Sequence, residues 1–204
     1  MSTVPKQLLT SAQYLARERS AEFRSEFFNG EMFAMAGVNR RHSLICTNLL
    51  AWLHPRLRPC GCEVHGSDMR VKVSRTGLYT YPDVSIACGE VAFEDEHEDV
   101  LLNPRVIFEV LSKSTEGRDR GWKFKQYRRI PSLLEYVLLA QDRPSIERFA
   151  RPPGGNFELT EHDGLEAALT LSSVSLQLPL SEIYRDVVAG DEEEMRTDGG
   201  EPQI

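Results

Sequence analysis

The sequence predicts an α/β domain in which a central mixed sheet is flanked by helices and extended by short antiparallel strands at its edges. Residues 105–111 and 134–139 are almost wholly apolar, which is typical of strands covered on both faces. Residues 41–57 carry apolar side chains every three to four positions, which is typical of an amphipathic helix. Buried strands together with an amphipathic helix indicate a sheet with helices packed on it.

The first predicted elements are a capped helix and a hairpin. Thr10 is a helix N-cap, because Gln13 three residues later completes a capping box. The run SEFFNGEMFAM then places Asn29-Gly30 between two β-rich segments. This dipeptide is the strongest short hairpin signal, because both turn residues must accept a positive φ. The predicted helix over 41–57 follows the hairpin.

The rest of the chain is predicted to consist mainly of strands separated by turn residues. The predicted strands cover residues 62–65, 69–73, 84–88, 105–111, 134–139, 145–150 and 157–160, with a helix over 119–129. We expect residues 1–187 to form one domain and residues 188–204 to form an acidic, disordered tail, since that tail lacks hydrophobic periodicity.

The charge of the chain is unevenly distributed. The whole sequence carries −7, which by itself disfavours a nucleic-acid partner. Residues 191–204 hold six acids and one base, so that the remainder of the chain carries only −2. Residues 105–129 hold eight bases against three acids, and such a local field attracts an anionic ligand. Alternating charges on a solvated helix are the alternative interpretation of this segment.

The sequence also bears on the compartment of the protein. No apolar run approaches the roughly 18 residues of a membrane helix, so we expect no membrane association. The N-terminus lacks a charged start followed by an apolar core, which argues against secretion. We therefore expect a cytoplasmic protein.

Four cysteines complete the sequence-level inventory: Cys46, Cys60, Cys62 and Cys88. Disulfides are not expected among them in a cytoplasmic protein. Cys60-Gly61-Cys62 with His65 suggests a zinc site. However, the spacing of the two cysteines is shorter than usual for zinc ligands, and no second ligand pair follows. Small buried cysteines are the favoured interpretation.

Two acids stand in apolar strands, where an ionised carboxylate costs several kcal/mol unless a partner or a metal compensates it. Asp83 opens the run YPDVSIAC, and Glu109 lies inside VIFEVL. Lys123, in the next predicted helix, can lean back toward Glu109. Two carboxylates and an ammonium predict a site for Mg²⁺ or Mn²⁺ and an anion. The alternative is a turn cap at Asp83 and a buried ion pair between Glu109 and Lys123.

The sequence resembles a known family from about residue 8 to residue 187. The resemblance is carried by SEFFNGEMFAMAG, RRHSLICTNLL, YPDVSIACG and NPRVIFEVLSKSTEGRDRGWKFKQYRRIPSLLEYVLL. These runs are similar to restriction-endonuclease-like proteins of the PD-(D/E)XK nuclease superfamily. The resemblance implies a restriction-endonuclease-like core, with a four-stranded mixed sheet, flanking helices and a metal held by carboxylates on adjacent strands.

The resemblance also implies roles for individual residues. Asp83 matches the acid of the PD element, and Glu109 matches the acid of the second element. Leu111 stands where the superfamily lysine would follow Glu109 by two residues. The lysine is instead supplied by the pattern DxxxKxxxY in the following helix, formed by Asp119, Lys123 and Tyr127.

Two further residues are candidate accessory groups. Superfamily members often bring an extra acid from the N-terminal region, for which Glu31 is the candidate, with a solvated hairpin acid as the alternative. His42, near the start of the second predicted helix, either faces the site or caps its own helix.

The function that the resemblance implies is a Mg²⁺-dependent (or Mn²⁺-dependent) endonuclease. It would hydrolyse DNA phosphodiester bonds with a metal-activated water, assisted by Lys123, and would act as a homodimer. One alternative is a nuclease-fold module that has lost turnover and serves nucleic-acid binding or regulation. Another is a zinc-stabilised interaction protein built on Cys60, Cys62 and His65.

Overall fold

A computed structural model of the chain describes residues 8–113 and 115–187, and the predicted acidic tail lies outside these ranges. The helices are α1 (Ser11–Glu18), α2 (Arg40–Leu57), α3 (Glu116–Arg118), α4 (Phe124–Tyr127) and α5 (Leu180–Ile183), and a π-helical turn (Asp119–Lys123) joins α3 to α4. The strands are β1 (Ser25–Phe28), β2 (Glu31–Ala34), β3 (Cys62–Gly66), β4 (Arg70–Val73), β5 (Leu78–Thr80), β6 (Val84–Cys88), β7 (Val100–Leu101), β8 (Val106–Leu111), β9 (Glu135–Ala140), β10 (Ser145–Ala150), β11 (Glu158–Asp163), β12 (Ala168–Leu171) and β13 (Leu176–Pro179). Within the described ranges, no helix combines the length and the apolar character that crossing a bilayer requires.

The central sheet has six strands in the order β11-β10-β9-β8-β6-β3. Strands β8 and β9 are parallel, and the other neighbours in this sheet are antiparallel. The parallel pair is connected by the segment from α3 to α4, because two parallel strands need a crossover. All six residues of β8 and of β9 are buried, as their apolar runs predict. The predicted mixed sheet with antiparallel edge strands is confirmed.

Helix α2 covers one face of this sheet. Its residues Ile45, Leu49, Leu53 and Leu57 are fully buried, together with side chains of the sheet, of the hairpin β12–β13 and of α5. Each such side chain stabilises the fold by about 2 kcal/mol through removal of apolar surface from water. The helix begins at Arg40, and His42 in its first turn contacts Asp83, the residue that precedes β6.

A second sheet, of five strands in the order β2-β1-β5-β4-β7, carries the N-terminal part of the chain. The predicted hairpin is confirmed, because β1 and β2 pair and Asn29 and Gly30 have φ values of 49° and 83°. The capping box of α1 is formed by Thr10 and Gln13 as predicted. The sequence did not predict β5 and β7, which have three and two residues and therefore lack a readable alternation.

The expected absence of disulfides is wrong for one pair. Cys62 on β3 and Cys88 on β6 lie opposite each other in the antiparallel register, and they form a disulfide. Directly opposed residues on antiparallel strands have side chains close enough for this bond. The two cysteines are 26 residues apart, so the contact depends on a strand pairing that the sequence does not reveal. Cys46 and Cys60 are free.

This bond makes a prediction for thiol content and stability. In the denatured, unreduced protein, two of the four cysteines should react with a thiol reagent, namely Cys46 and Cys60. Cys88→Ser should lower the free energy of unfolding by about 3 kcal/mol, because it removes a constraint on the unfolded chain. Cys60→Ser is the control, since this side chain is exposed and free. Reaction of all four cysteines without reductant would contradict the assignment.

Candidate active site

A cavity of about 430 Å³ opens beside the start of α2 and the adjacent ends of β6 and β8. Residues between β2 and α2 form one wall, and the turn from α3 to α4 forms another. The charged side chains that line the cavity are Glu26, Asp83, Glu109, Arg118, Asp119 and Lys123. The acids outnumber the bases, which favours the binding of a cation.

The two acids predicted from the apolar strands lie on neighbouring strands. Val84 at the start of β6 pairs with Phe108 on β8, so that Asp83, one residue earlier, comes level with Glu109. Asp83 follows Pro82, and its Oδ2 accepts a hydrogen bond of 2.7 Å from the backbone N–H of Val110. The register of the sheet therefore brings both carboxylates to the same cavity.

Glu109 is held by two donors from the segment that follows β8. Lys123 Nζ lies 3.0 Å from Glu109 Oε1, and Tyr127 donates its hydroxyl to the same oxygen at 2.8 Å. Neither contact uses Oε2. Lys123 is the last residue of the π-helical turn, and Tyr127 is the last residue of α4. From these positions both side chains contact Glu109 on β8. The DxxxKxxxY pattern thus places its lysine and its tyrosine on Glu109.

Lys123 is enclosed by carboxylates. Besides Glu109, its Nζ lies 3.4 Å from Glu26 Oε1 and 3.6 Å from Asp119 Oδ1. The side chain is buried, whereas Lys113 and Lys125 are exposed. Of these three lysines, only Lys123 lines the cavity.

Glu26 is the hairpin acid that lines the cavity, whereas the accessory acid expected from the sequence is Glu31. Glu26 is buried, and it accepts hydrogen bonds from Arg118 and Thr80. Glu31 stands beside the turn, opposite Phe28, and does not line the cavity. Each of the two hairpin strands carries one acid beside apolar residues, so the sequence holds no signal that separates Glu26 from Glu31.

Burial and neighbouring charges shift the pKa values of these acids in different directions. Burial raises the pKa of Glu109 to about 8, since the attraction of Lys123 only partly offsets the loss of hydration and the repulsion of Asp83. Burial raises the pKa of Asp119 as well. Burial alone would also raise the pKa of Glu26, but the charge of Lys123 and the hydrogen bond from Thr80 lower it below its usual value. The three acids around Lys123 therefore differ in pKa, which is raised for Glu109 and Asp119 and lowered for Glu26.

The pKa of Lys123 lies above its ordinary value. Burial by itself would lower it, but the charges of Glu109, Glu26 and Asp119 outweigh that effect. The side chain is therefore an ammonium at neutral pH, and its position is determined by its contacts with the side chains of these three acids.

His42 lies beside Asp83 on the first turn of α2. Its Nε2 is 3.2 Å from Asp83 Oδ2, and its Nδ1 is 3.6 Å from Cys46 Sγ. Its backbone N–H donates to the side chain of Asn39, so Asn39 caps the helix and the ring of His42 is left to face the cavity. Burial raises the pKa of the Cys46 thiol, with Asp83 and Glu109 acting in the same direction.

The zinc interpretation of Cys60, Cys62 and His65 does not fit the structure. Cys62 is bonded to Cys88 and offers no thiolate, and His65 Nε2 lies 3.1 Å from Glu63 Oε2. In the described part of the chain, the group of histidine, cysteine and acidic residues whose ligand atoms lie within 4.8 Å of one another is His42, Cys46 and Asp83.

The donor set of the cavity fits a divalent cation. Carboxylate oxygens are the ligands that Mg²⁺ and Mn²⁺ take in proteins. The contacts described for Asp83 engage Oδ2 and those for Glu109 engage Oε1, which leaves the second oxygen of each out of these contacts. Asp83 and Glu109 are therefore the residues suited to hold the ion.

The lowered pKa of Glu26 predicts a pH-dependent contribution to stability. A depressed pKa stabilises the fold above the unfolded value of 4.5, and this contribution disappears as the pH falls through the folded value. Glu26→Gln should lower the free energy of unfolding by about 2 kcal/mol at pH 7. The difference from the wild type should shrink below pH 4.5 in urea titrations. Glu161→Gln, at an exposed position on β11, is the control, and a pH-independent effect of Glu26→Gln would contradict the prediction.

Comparison with solved structures identifies the fold. A crystal structure described as "a putative nuclease belonging to DUF820", from Anabaena variabilis ATCC 29413, matches with a TM-score of 0.73 at 16% identity. The match covers 88% of this chain and 99% of that chain. The predicted restriction-endonuclease-like fold is therefore confirmed.

Comparison of sequences identifies relatives of nearly the same length. The uncharacterized protein sll1609 of Synechocystis sp. (strain ATCC 27184 / PCC 6803 / Kazusa) is 35% identical over 176 residues, which cover 86% of this chain and 99% of that protein. The uncharacterized protein slr1290 of the same organism is 30% identical over 183 residues, which cover 90% and 95%.

The family follows from a match that spans the site. Residues 11–181 match the Uma2 family, described as "Putative restriction endonuclease", and this range contains every residue that lines the cavity. The family resemblance expected from the sequence is thereby confirmed, and the chain belongs to the Uma2 family.

Proposed function

We propose that this protein is an endonuclease that hydrolyses DNA phosphodiester bonds with the help of Mg²⁺ or Mn²⁺. One observation carries the proposal. Asp83 and Glu109 come level on neighbouring strands in a cavity that also holds the buried ammonium of Lys123. Two carboxylates for a cation and a fixed positive charge for an anion are the groups that phosphodiester hydrolysis needs.

Asp83 and Glu109 would hold the cation through their carboxylate oxygens, and the contacts of Glu109 with Lys123 and Tyr127 leave its Oε2 unused. When bound, a divalent cation lowers the pKa of a coordinated water and polarises a phosphoryl oxygen. The backbone of Val110 orients Asp83, and Lys123 and Tyr127 orient Glu109. Because both acids are held before any ligand arrives, little reorganisation is needed when the ion binds.

Lys123 would offset the negative charge that develops on the phosphate. Its three carboxylate neighbours keep it charged and fix its position. A preorganised charge in a site largely screened from water stabilises a transition state far more than the same charge in bulk solvent.

The exposed bases of the segment that also carries Lys123 support an anionic polymer as the substrate. Several bases of the segment that follows β8 are exposed: Lys113, Lys125, Arg128 and Arg129. Exposed bases of this kind attract phosphates, with an affinity that falls steeply as salt is added. A homodimer would present two such sites, one to each strand of a duplex. We therefore propose DNA as the substrate and a homodimer as the acting unit.

The cation site makes a prediction for thermal stability. Mg²⁺ or Mn²⁺ should raise the melting temperature of the wild type, because a ligand that binds only the folded state stabilises it by mass action. Asp83→Asn should abolish the rise, and Asp163→Asn, at an exposed position on β11, should leave it unchanged. An equal rise in melting temperature in the wild type and in Asp83→Asn would show that the cation does not bind to this pair of acids.

The role of Lys123 predicts how cleavage responds to mutation. Purified protein is incubated with plasmid and short duplexes in Mg²⁺, Mn²⁺ or EDTA, and cleavage is expected with either cation but not with EDTA. Lys123→Ala should lower the cleavage rate about 100-fold or more, the equivalent of about 3 kcal/mol of lost electrostatic stabilisation. Binding of the cation should persist or tighten, because a repelling charge has gone.

Controls separate this prediction from loss of folding and from contamination. Arg75→Ala removes an exposed base between β4 and β5, outside the segment that follows β8, and should cleave like the wild type. Lys123→Arg keeps the charge and checks that the cavity tolerates substitution. Absence of cation-dependent cleavage by the wild type, with DNA affinity retained, would favour a binding or regulatory module. Unchanged cleavage by both Asp83→Asn and Lys123→Ala would indicate a contaminating nuclease.

A further inference from the structure

His42 brings an imidazole into a cavity that four acidic side chains also line. It projects from the first turn of α2, the helix that packs on the central sheet through four fully buried side chains. The residue is itself buried and lines the cavity. Its position relative to Asp83 is therefore determined by the packing of the fold.

The separation of His42 and Asp83 suits two ligands of one ion. The Nε2 of His42 lies 3.2 Å from Asp83 Oδ2. Two neighbouring ligands at about 2.1 Å from an octahedral ion are themselves separated by about 3 Å. The same two atoms are also within hydrogen-bonding distance, so the chain can keep this arrangement before an ion binds.

Cys46 orients the ring of His42. It lies one helical turn further along α2, and its Sγ is 3.6 Å from Nδ1 of His42. Histidines that bind metals usually engage their second ring nitrogen in a hydrogen bond, which fixes the tautomer and the orientation of the ring. With Nδ1 directed at the sulfur, Nε2 is the nitrogen presented to Asp83 and the cavity.

The order Cys46–His42–Asp83 also resembles a nucleophile, a base and an orienting acid. The cavity does not support that interpretation, because Cys46 is not among the residues that line it. A substrate in the cavity would meet His42 and Asp83 but not the sulfur.

We infer that His42 Nε2 is a protein ligand of the cation beside Asp83, and that the site therefore prefers Mn²⁺ to Mg²⁺. The inference rests on the proposed cation-dependent function and adds a ligand and a metal preference to it. Mg²⁺ favours oxygen ligands, whereas imidazole suits first-row transition metals. A nitrogen ligand therefore contributes more to the binding of Mn²⁺ than of Mg²⁺.

The test compares the binding of the two cations to the wild type and to two variants, each with one histidine replaced. Dissociation constants for Mn²⁺ and Mg²⁺ are measured by calorimetric titration of the wild type, His42→Asn and His54→Ala. Asparagine keeps an N–H donor for Asp83 but lacks the imidazole nitrogen. His54 is the matched control, since it lies on the same helix at an exposed position. Pulsed EPR of the Mn²⁺ complexes reports any directly coordinated nitrogen.

The ligand assignment predicts a selective loss. His42→Asn should weaken Mn²⁺ binding about tenfold or more and should change Mg²⁺ binding much less. The wild-type Mn²⁺ complex should show coupling to a ¹⁴N nucleus, His42→Asn should lose it, and His54→Ala should retain it. Thermal unfolding of His42→Asn verifies that the protein remains folded, and His42→Ala serves as a second variant.

Two other results would overturn the inference, and they differ in what they imply for the proposed function. Equal changes in Mn²⁺ and Mg²⁺ affinity, without ¹⁴N coupling in the wild type, would make His42 a positioning residue for Asp83 and leave the cation site intact. Failure of both cations to bind the wild type would overturn the inference together with the cation-dependent function.

Discussion

The contact between Lys123 and its carboxylates is the interaction on which the site depends. Glu109 lies in the middle of a buried strand, where an isolated carboxylate would cost several kcal/mol. Lys123 compensates that charge and is shared with Glu26 and Asp119. Each of the three acids comes from a different part of the chain, so one ammonium links the hairpin, the central sheet and the turn after β8. Compensation remains partial, because the pKa of Glu109 stays raised to about 8, so that a second positive charge beside Glu109 would favour its ionised form.

The fold supplies each group from an element suited to hold it. Strands β6 and β8 fix the separation of Asp83 and Glu109 through their register, and backbone hydrogen bonds maintain that register. Helix α2 delivers His42 from a position secured by its buried apolar stripe. The π-helical turn delivers Lys123, and such turns occur frequently at functional sites. Because the side chains come from rigid elements, the geometry of the site precedes the arrival of a ligand.

The sequence by itself predicted most of the main elements of the fold, but only some of the residues that line the cavity. Periodicity and turn chemistry predicted the hairpin at Asn29-Gly30, helix α2 and the buried strands β8 and β9, because these signals arise from local sterics and burial. Two carboxylates in apolar strands and a lysine one helix later also singled out Asp83, Glu109 and Lys123, which the structure brings to one cavity. These side chains stand out in sequence because a charge in an apolar strand needs a compensating partner.

The tertiary structure alone decided which other residues meet them. Glu26 and Glu31 look alike in the hairpin, and only the packing of β1 against the rest of the domain buries the first of them beside Lys123. The Cys62–Cys88 bond likewise required the antiparallel pairing of β3 with β6. The local sequence specifies which face of a strand a side chain occupies. Which distant residue lies opposite depends on strand order and register, which the whole core determines together.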